Sequence, residues 1–113
     1  MHFLTGLFLA TASLLAQAQG FPNRPIKLLV NNAPGGGTDI MARVLAEAMK
    51  DDLGQPVVVE NKAGAGGALG AAEVARAAAD GYTVLVSAGA FVIGPSVLKN
   101  AGYDPVKDFV GVA

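Results

Sequence analysis

Asn31-Asn32-Ala33-Pro34-Gly35-Gly36-Gly37-Thr38-Asp39 stands between an apolar β-type run, Ile26 to Val30, and an amphipathic helical pattern. Pro34 sets a turn, and the three glycines let the backbone bend with its N–H groups exposed. Thr38 suits the N-cap of the helix that follows, and Asp39 suits its first turn. Strand, glycine loop and helix start in succession put unpaired amides and the positive end of a helix dipole at one spot. That is the make-up of a site for carboxylate or phosphate. It is also the make-up of an ordinary tight strand-to-helix connection, and the loop alone does not separate the two.

Downstream, Ile40, Met41, Val44, Leu45, Ala48 and Met49 fall on one side of a helix, with Arg43, Glu47 and Lys50 opposite. The apolar side is expected to dock on a sheet, and Gly54 to end the helix in the left-handed conformation. Val57 to Glu60 is a β-branched second strand. A second glycine loop, Asn61 to Gly67, opens a helix over about Ala68 to Ala79. Its small residues (Gly70, Ala71, Ala72, Ala75) allow close packing on the sheet, while Glu73, Arg76 and Asp80 mark a solvated side. After the Asp80-Gly81 turn, Tyr82 to Ser87 reads as a buried third strand, followed by a small-residue loop, Ala88-Gly89-Ala90-Phe91. Pro95 to Lys99 reads as a short helical turn, and Tyr103 to Asp108 as a polar connection into a last strand from Phe109. Upstream, Gly20 to Pro25 is an extended, proline-marked lead-in. Strands alternating with helices predict an α/β fold, a parallel sheet with flanking helices. Ligands in such sheets sit beyond the carboxyl ends of the strands, where all three small-residue loops should meet. That convergence favours a binding site.

The first residues have a different character. Phe3 to Leu15 is apolar except for Thr5, Gly6, Thr11 and Ser13, and Ala16-Gln17-Ala18 supplies a small-x-small cleavage pattern. Residues 1–18 therefore read as a signal peptide cut after Ala18, with an apolar core shorter than the roughly 20 residues of a membrane span; the alternative is an uncleaved anchor. The net charge of −1 gives no nucleic-acid footprint, and the absence of cysteine rules out disulfides. His2 is the single histidine, so residues 19–113 hold no His–Cys metal cluster and no Cys–His or Ser–His dyad. Ser87-Ala88-Gly89 lacks the spacing of a nucleophile elbow. Asp39 has the chemistry of a general base, but an aspartate there more often satisfies loop amides or orients a water. Nucleotide binding is the rival reading. Gly35-Gly36-Gly37-Thr38 lacks the P-loop lysine, and in Gly64-Ala65-Gly66-Gly67-Ala68-Leu69-Gly70 the third fingerprint glycine arrives one residue late. No cofactor and no catalytic residue is expected.

Six stretches occur together in order: Phe21-Pro22-x-x-Pro25-Ile26, Ala33 to Asp39, Leu53-Gly54-Gln55-Pro56-Val57-Val58-Val59-Glu60-Asn61, Gly64-Ala65-Gly66-Gly67, Asp80-Gly81-Tyr82-Thr83 and Tyr103-Asp104-Pro105-Val106-Lys107-Asp108-Phe109. In these the chain resembles the Bug family, periplasmic substrate-binding proteins of tripartite tricarboxylate transporters. The resemblance implies a two-lobed Venus-flytrap fold, with residues 19–113 as the N-terminal part of lobe 1. It implies capture of a small organic carboxylate or related solute and delivery to membrane permease subunits. Carboxylates in the family are held by loop amides and hydroxyls, often through water. The positions carried over are Asn32, Ala33, Pro34, Gly35, Gly36, Gly37, Thr38, Asp39, Ala65, Gly66, Ser87, Ala88, Gly89 and Ala90. Asn31-Asn32 take the place where the family often has proline and an aromatic residue, so no aromatic pocket wall is supplied there. Phe109 to Ala113 stops as a strand begins, and the chain reads as the first piece of something longer. The alternatives are a nucleotide-binding α/β enzyme domain and a truncated remnant without function.

Overall fold

The computed structural model describes residues 20–112; the expected signal segment and Ala113 lie outside the described residues. β1 (Ile26–Val30) is the centre of a three-stranded parallel sheet, between β2 (Val57–Asn61) and β3 (Thr83–Val86). Leu28 lies opposite Val59 on one side and Val84 on the other. Helical crossovers cover a parallel sheet on both faces, which is what the unbroken apolar run of β1 requires. Leu28, Leu29 and Val30 are accordingly at 1% exposure or less. β3 is only half-buried, not buried as expected, because it is an edge of this sheet.

Helices cover the two faces. Ile26 and Leu28 point to α1 (Gly37–Leu53), where they pack with Ala46 and are joined by Val57, Val59, Val84 and Val86. On the other face, Leu29 and Asn31 meet Gly70 of α2 (Ala68–Arg76). A Cβ on Gly70 would stand 2.7 Å from the Lys62 carbonyl oxygen and 2.9 Å from the Asn31 Cβ. The small residues of α2 therefore do bring its backbone onto the sheet. The helix ends at Arg76 and is preceded by a 3₁₀ turn, Ala65–Gly67.

α1 docks with a different face from the one its large apolar residues predict. Its buried residues are Asp39, Ala42 and Ala46, whereas Ile40, Met41, Val44 and Leu45 are exposed, Met41 by 70%. Successive helical residues are about 100° apart, so burying Ile40 and Val44 would turn Asp39 outward. Hydrogen bonds hold Asp39 inward at the first turn, and that anchor sets the phase of the helix. Gly54 ends α1 as expected, at φ 67° with its N–H on the Lys50 carbonyl.

The region after β3 also departs from expectation. Residues 90 and 91 are not loop, and no separate turn forms over Pro95 to Lys99; one helix, α3 (Ala90–Val97), carries Pro95 in its interior. Proline removes the N–H that would donate to the Phe91 carbonyl four residues back. The Tyr103 hydroxyl donates to that carbonyl instead, at 2.7 Å. Phe109 to Val112 form no strand; the Phe109 ring packs edge-on against Phe91 and Tyr103, which stack on each other. At the other end, Arg24 pairs with Asp80 at 2.8 Å and lies over the Tyr82 ring, tying the lead-in to β3.

Candidate functional site

Three parallel strands put three strand-to-helix loops on one rim. In the order β2-β1-β3 the chain winds out to one side of β1 and then to the other, so a crevice opens beyond the carboxyl ends of β1 and β3. An open cleft of about 420 Å³ lies there, lined by Gly37, Thr38, Met41, Val86 and Ser87. It offers amides from the start of α1, the Thr38 and Ser87 side chains, and an apolar wall from Met41 and Val86.

The helix begins earlier than Thr38. Gly36 is the N-cap, extended at φ −75° and ψ 171°, and no side chain caps the turn. The glycine run lets the backbone make that entry without a Thr38 cap, which corrects the sequence reading. Thr38 sits inside the first turn, where its Oγ1 accepts from Asn32 Nδ2 at 3.2 Å. The amides of Gly37, Thr38 and Asp39 have no helical acceptor, and they are the donors the dipole presents to an anion.

Asp39 is placed otherwise. Its side chain is 5% exposed and its carboxylate is fully engaged. Gly35 N donates to Oδ2 at 2.8 Å, Asn61 Nδ2 to Oδ1 at 2.9 Å, and Arg43 Nε to both oxygens at 3.1 and 3.2 Å. Arg43 Nη2 also donates to Asn61 Oδ1 at 3.0 Å. The Gly35 amide first, then Asn61 and Arg43, hold the Asp39 carboxyl below the usual carboxylate range. Arg43, assigned by the pattern to the solvated side, therefore belongs to the base of the glycine loop.

The remaining positions are spread over all three loops. Ala33 to Gly36 form the exposed crest of the first loop. Ala65 and Gly66 are exposed in the 3₁₀ turn, both with left-handed backbone, at φ 52° and 65°. Asn31 donates Nδ2 to the Gly67 carbonyl at 3.0 Å and so ties the end of β1 to that turn; its Oδ1 is buried without a partner among the described residues. Ser87 lines the cleft, Ala88 is exposed, Gly89 is the N-cap of α3 and Ala90 its first residue. Sequence reasoning missed Asn31, Arg43 and Asn61 as site-building residues. The available signal was an asparagine at the end of β1 and of β2, each followed by a glycine loop.

Among the described residues no group of His, Cys, Asp or Glu could hold a metal ion, and no helix is long and apolar enough to cross a membrane. The model of the tripartite tricarboxylate transporter family receptor matches residues 41–113. BugT of Bordetella pertussis is 47% identical over 112 residues, covering 96% of this chain and 34% of the relative. Among solved structures, the periplasmic binding protein BugD superposes with a TM-score of 0.76 at 50% identity, over 79% of this chain and 30% of its own. MatC from Rhodopseudomonas palustris, with bound malate, gives a TM-score of 0.72 at 40% identity, over 79% and 31%. The chain thus spans about a third of the length of these relatives. Matches of this extent across the first glycine loop, the sheet and its flanking helices decide the family: the chain belongs to the tripartite tricarboxylate transporter receptors.

Proposed function

We propose that this chain carries the first part of a receptor site for a small organic carboxylate, in a protein exported to the periplasm and serving a tripartite tricarboxylate-type transporter. One observation carries the reading. The cleft at the β1/β3 crevice is lined by the free first turn of α1 and by Ser87, in a family where MatC is a malate complex. Amides and hydroxyls bind a carboxylate reversibly, and a second set of donors from the remainder of a longer protein would enclose it. Residues 20–112 contain no histidine or cysteine, and among these described residues no group could hold a metal ion, which supports binding without turnover. Membership of a receptor family disfavours the nucleotide-enzyme alternative. Export rests on the apolar segment and Ala16-Gln17-Ala18, and delivery to permease subunits on the family alone.

The test is a titration with malate followed by NMR on the ¹⁵N-labelled chain, with NAD and ATP as controls. Malate should move the amides of Gly37, Thr38 and Ser87 and be recovered unchanged. Conversion of malate, or tighter binding of NAD or ATP, would overturn the reading.

A further inference from the structure

We propose that Asp39 is a positioning residue: its buried carboxylate, braced by Asn61 and Arg43, fixes which loop amides face the cleft. The inference deepens the carboxylate-receptor reading and rests on it for the ligand.

An anionic side chain at a helix start should oppose an anionic ligand, since both seek the same positive potential. The geometry resolves that conflict. The carboxylate is turned under the loop at 5% exposure, with Arg43 against both its oxygens. The Asp39–Arg43 pair is therefore neutral as a unit, and the dipole of α1 is left for a ligand. The Gly35 N–H is drawn down onto Oδ2 at 2.8 Å and withdrawn from the ligand side. With Gly35 pinned below and Gly36 extended, the first-turn amides of Gly37 and Thr38 are left at the cleft. Asn61 extends the brace to β2, because its Nδ2 reaches Asp39 and, more loosely at 3.4 Å, the Asn32 carbonyl. One carboxylate thus registers the loop after β1, the first turn of α1 and the end of β2 against each other. Preorganised donors of this kind spare the ligand the cost of ordering them.

The test compares Asp39→Ala, Asp39→Asn and Arg43→Gln in the full chain, with the Gly35 amide and malate affinity as readouts. Asp39→Ala should abolish hydrogen-exchange protection of the Gly35 amide and weaken malate by about tenfold, the scale of one charge-assisted hydrogen bond. Asp39→Asn keeps an oxygen for Gly35 and should restore part of both. Arg43→Gln should keep Gly35 protected yet weaken malate, because the carboxylate is then uncompensated. Were Asp39 only a nearby negative charge, Asp39→Asn would bind malate more tightly; that result overturns the proposal. So does an unchanged Gly35 amide in Asp39→Ala. If Asp39→Ala fails to fold, the other two variants decide by the same signs. If the wild-type chain gives no malate response, the malate reading fails, while the Gly35 amide in the free chain still decides the brace.

Discussion

Gly70 shows how a single missing methyl decides a packing distance. Alanine there would gain about 1 kcal/mol of helix propensity. Its Cβ would also meet the Lys62 carbonyl at 2.7 Å, and a backbone oxygen cannot step aside as a side chain can. Overpacking of this kind costs about 1–3 kcal/mol, so the clash outweighs the propensity. Gly70→Ala should therefore lower the midpoint of urea unfolding; an unchanged or raised midpoint would show that α2 can shift outward freely. Asp39 governs a second measurable property. A carboxyl depressed in the folded state contributes its stability fully above the unfolded value of about 4, and that contribution drains as pH falls through the lower folded value. Asp104, held down by the amides of Val106 and Lys107, acts in the same direction. Asp39→Asn should consequently lose stability less steeply than the wild type below about pH 4. Parallel acid profiles would contradict the assignment.

At the scale of the element, α3 tests how a helix accommodates an internal proline. Pro95 leaves the Phe91 carbonyl without its helical donor, and the Tyr103 hydroxyl fills the vacancy. Partial burial pushes the Tyr103 hydroxyl above its usual pKa, in keeping with a ring packed against Phe91 and Phe109. Removing that hydroxyl strands a carbonyl, which costs about 1–3 kcal/mol. Tyr103→Phe should thus destabilise the chain by that order in chemical unfolding. In a Pro95→Ala background the same change should cost less, since residue 95 then has an N–H to offer Phe91. Equal costs in the two backgrounds would show that the bond is incidental to α3.

For the whole molecule, the expectation that follows from the proposed export concerns its mature start. Mass spectrometry of the periplasmic fraction should find a first residue near Gln19, after cleavage at Ala16-Gln17-Ala18. An intact Met1 in the membrane fraction would refute it. The described body also leaves Ile40, Met41, Val44 and Leu45 on one side of α1, and Val92, Ile93 and Val97 on α3, open to solvent.

The sequence by itself determined the parallel α/β class, the cover on both faces of β1, the glycine loops on one rim and the left-handed stop at Gly54. These are local or strictly periodic properties: an unbroken apolar run needs cover on both faces, and a helix end without a Cβ can turn left. It also carried enough linked motifs for the family resemblance. What only the tertiary structure decided was rotation and partnership. Hydrophobicity pointed Ile40 and Val44 at the sheet, yet α1 buries Asp39, Ala42 and Ala46. The partners that hold Asp39 inward include Asn61, 22 residues away along the chain. The helix continues through Pro95 because Tyr103, 12 residues beyond Phe91, takes up the carbonyl that proline abandons. Periodicity reports the amphipathicity of one segment, whereas a buried polar group is placed by partners that only the folded chain assembles.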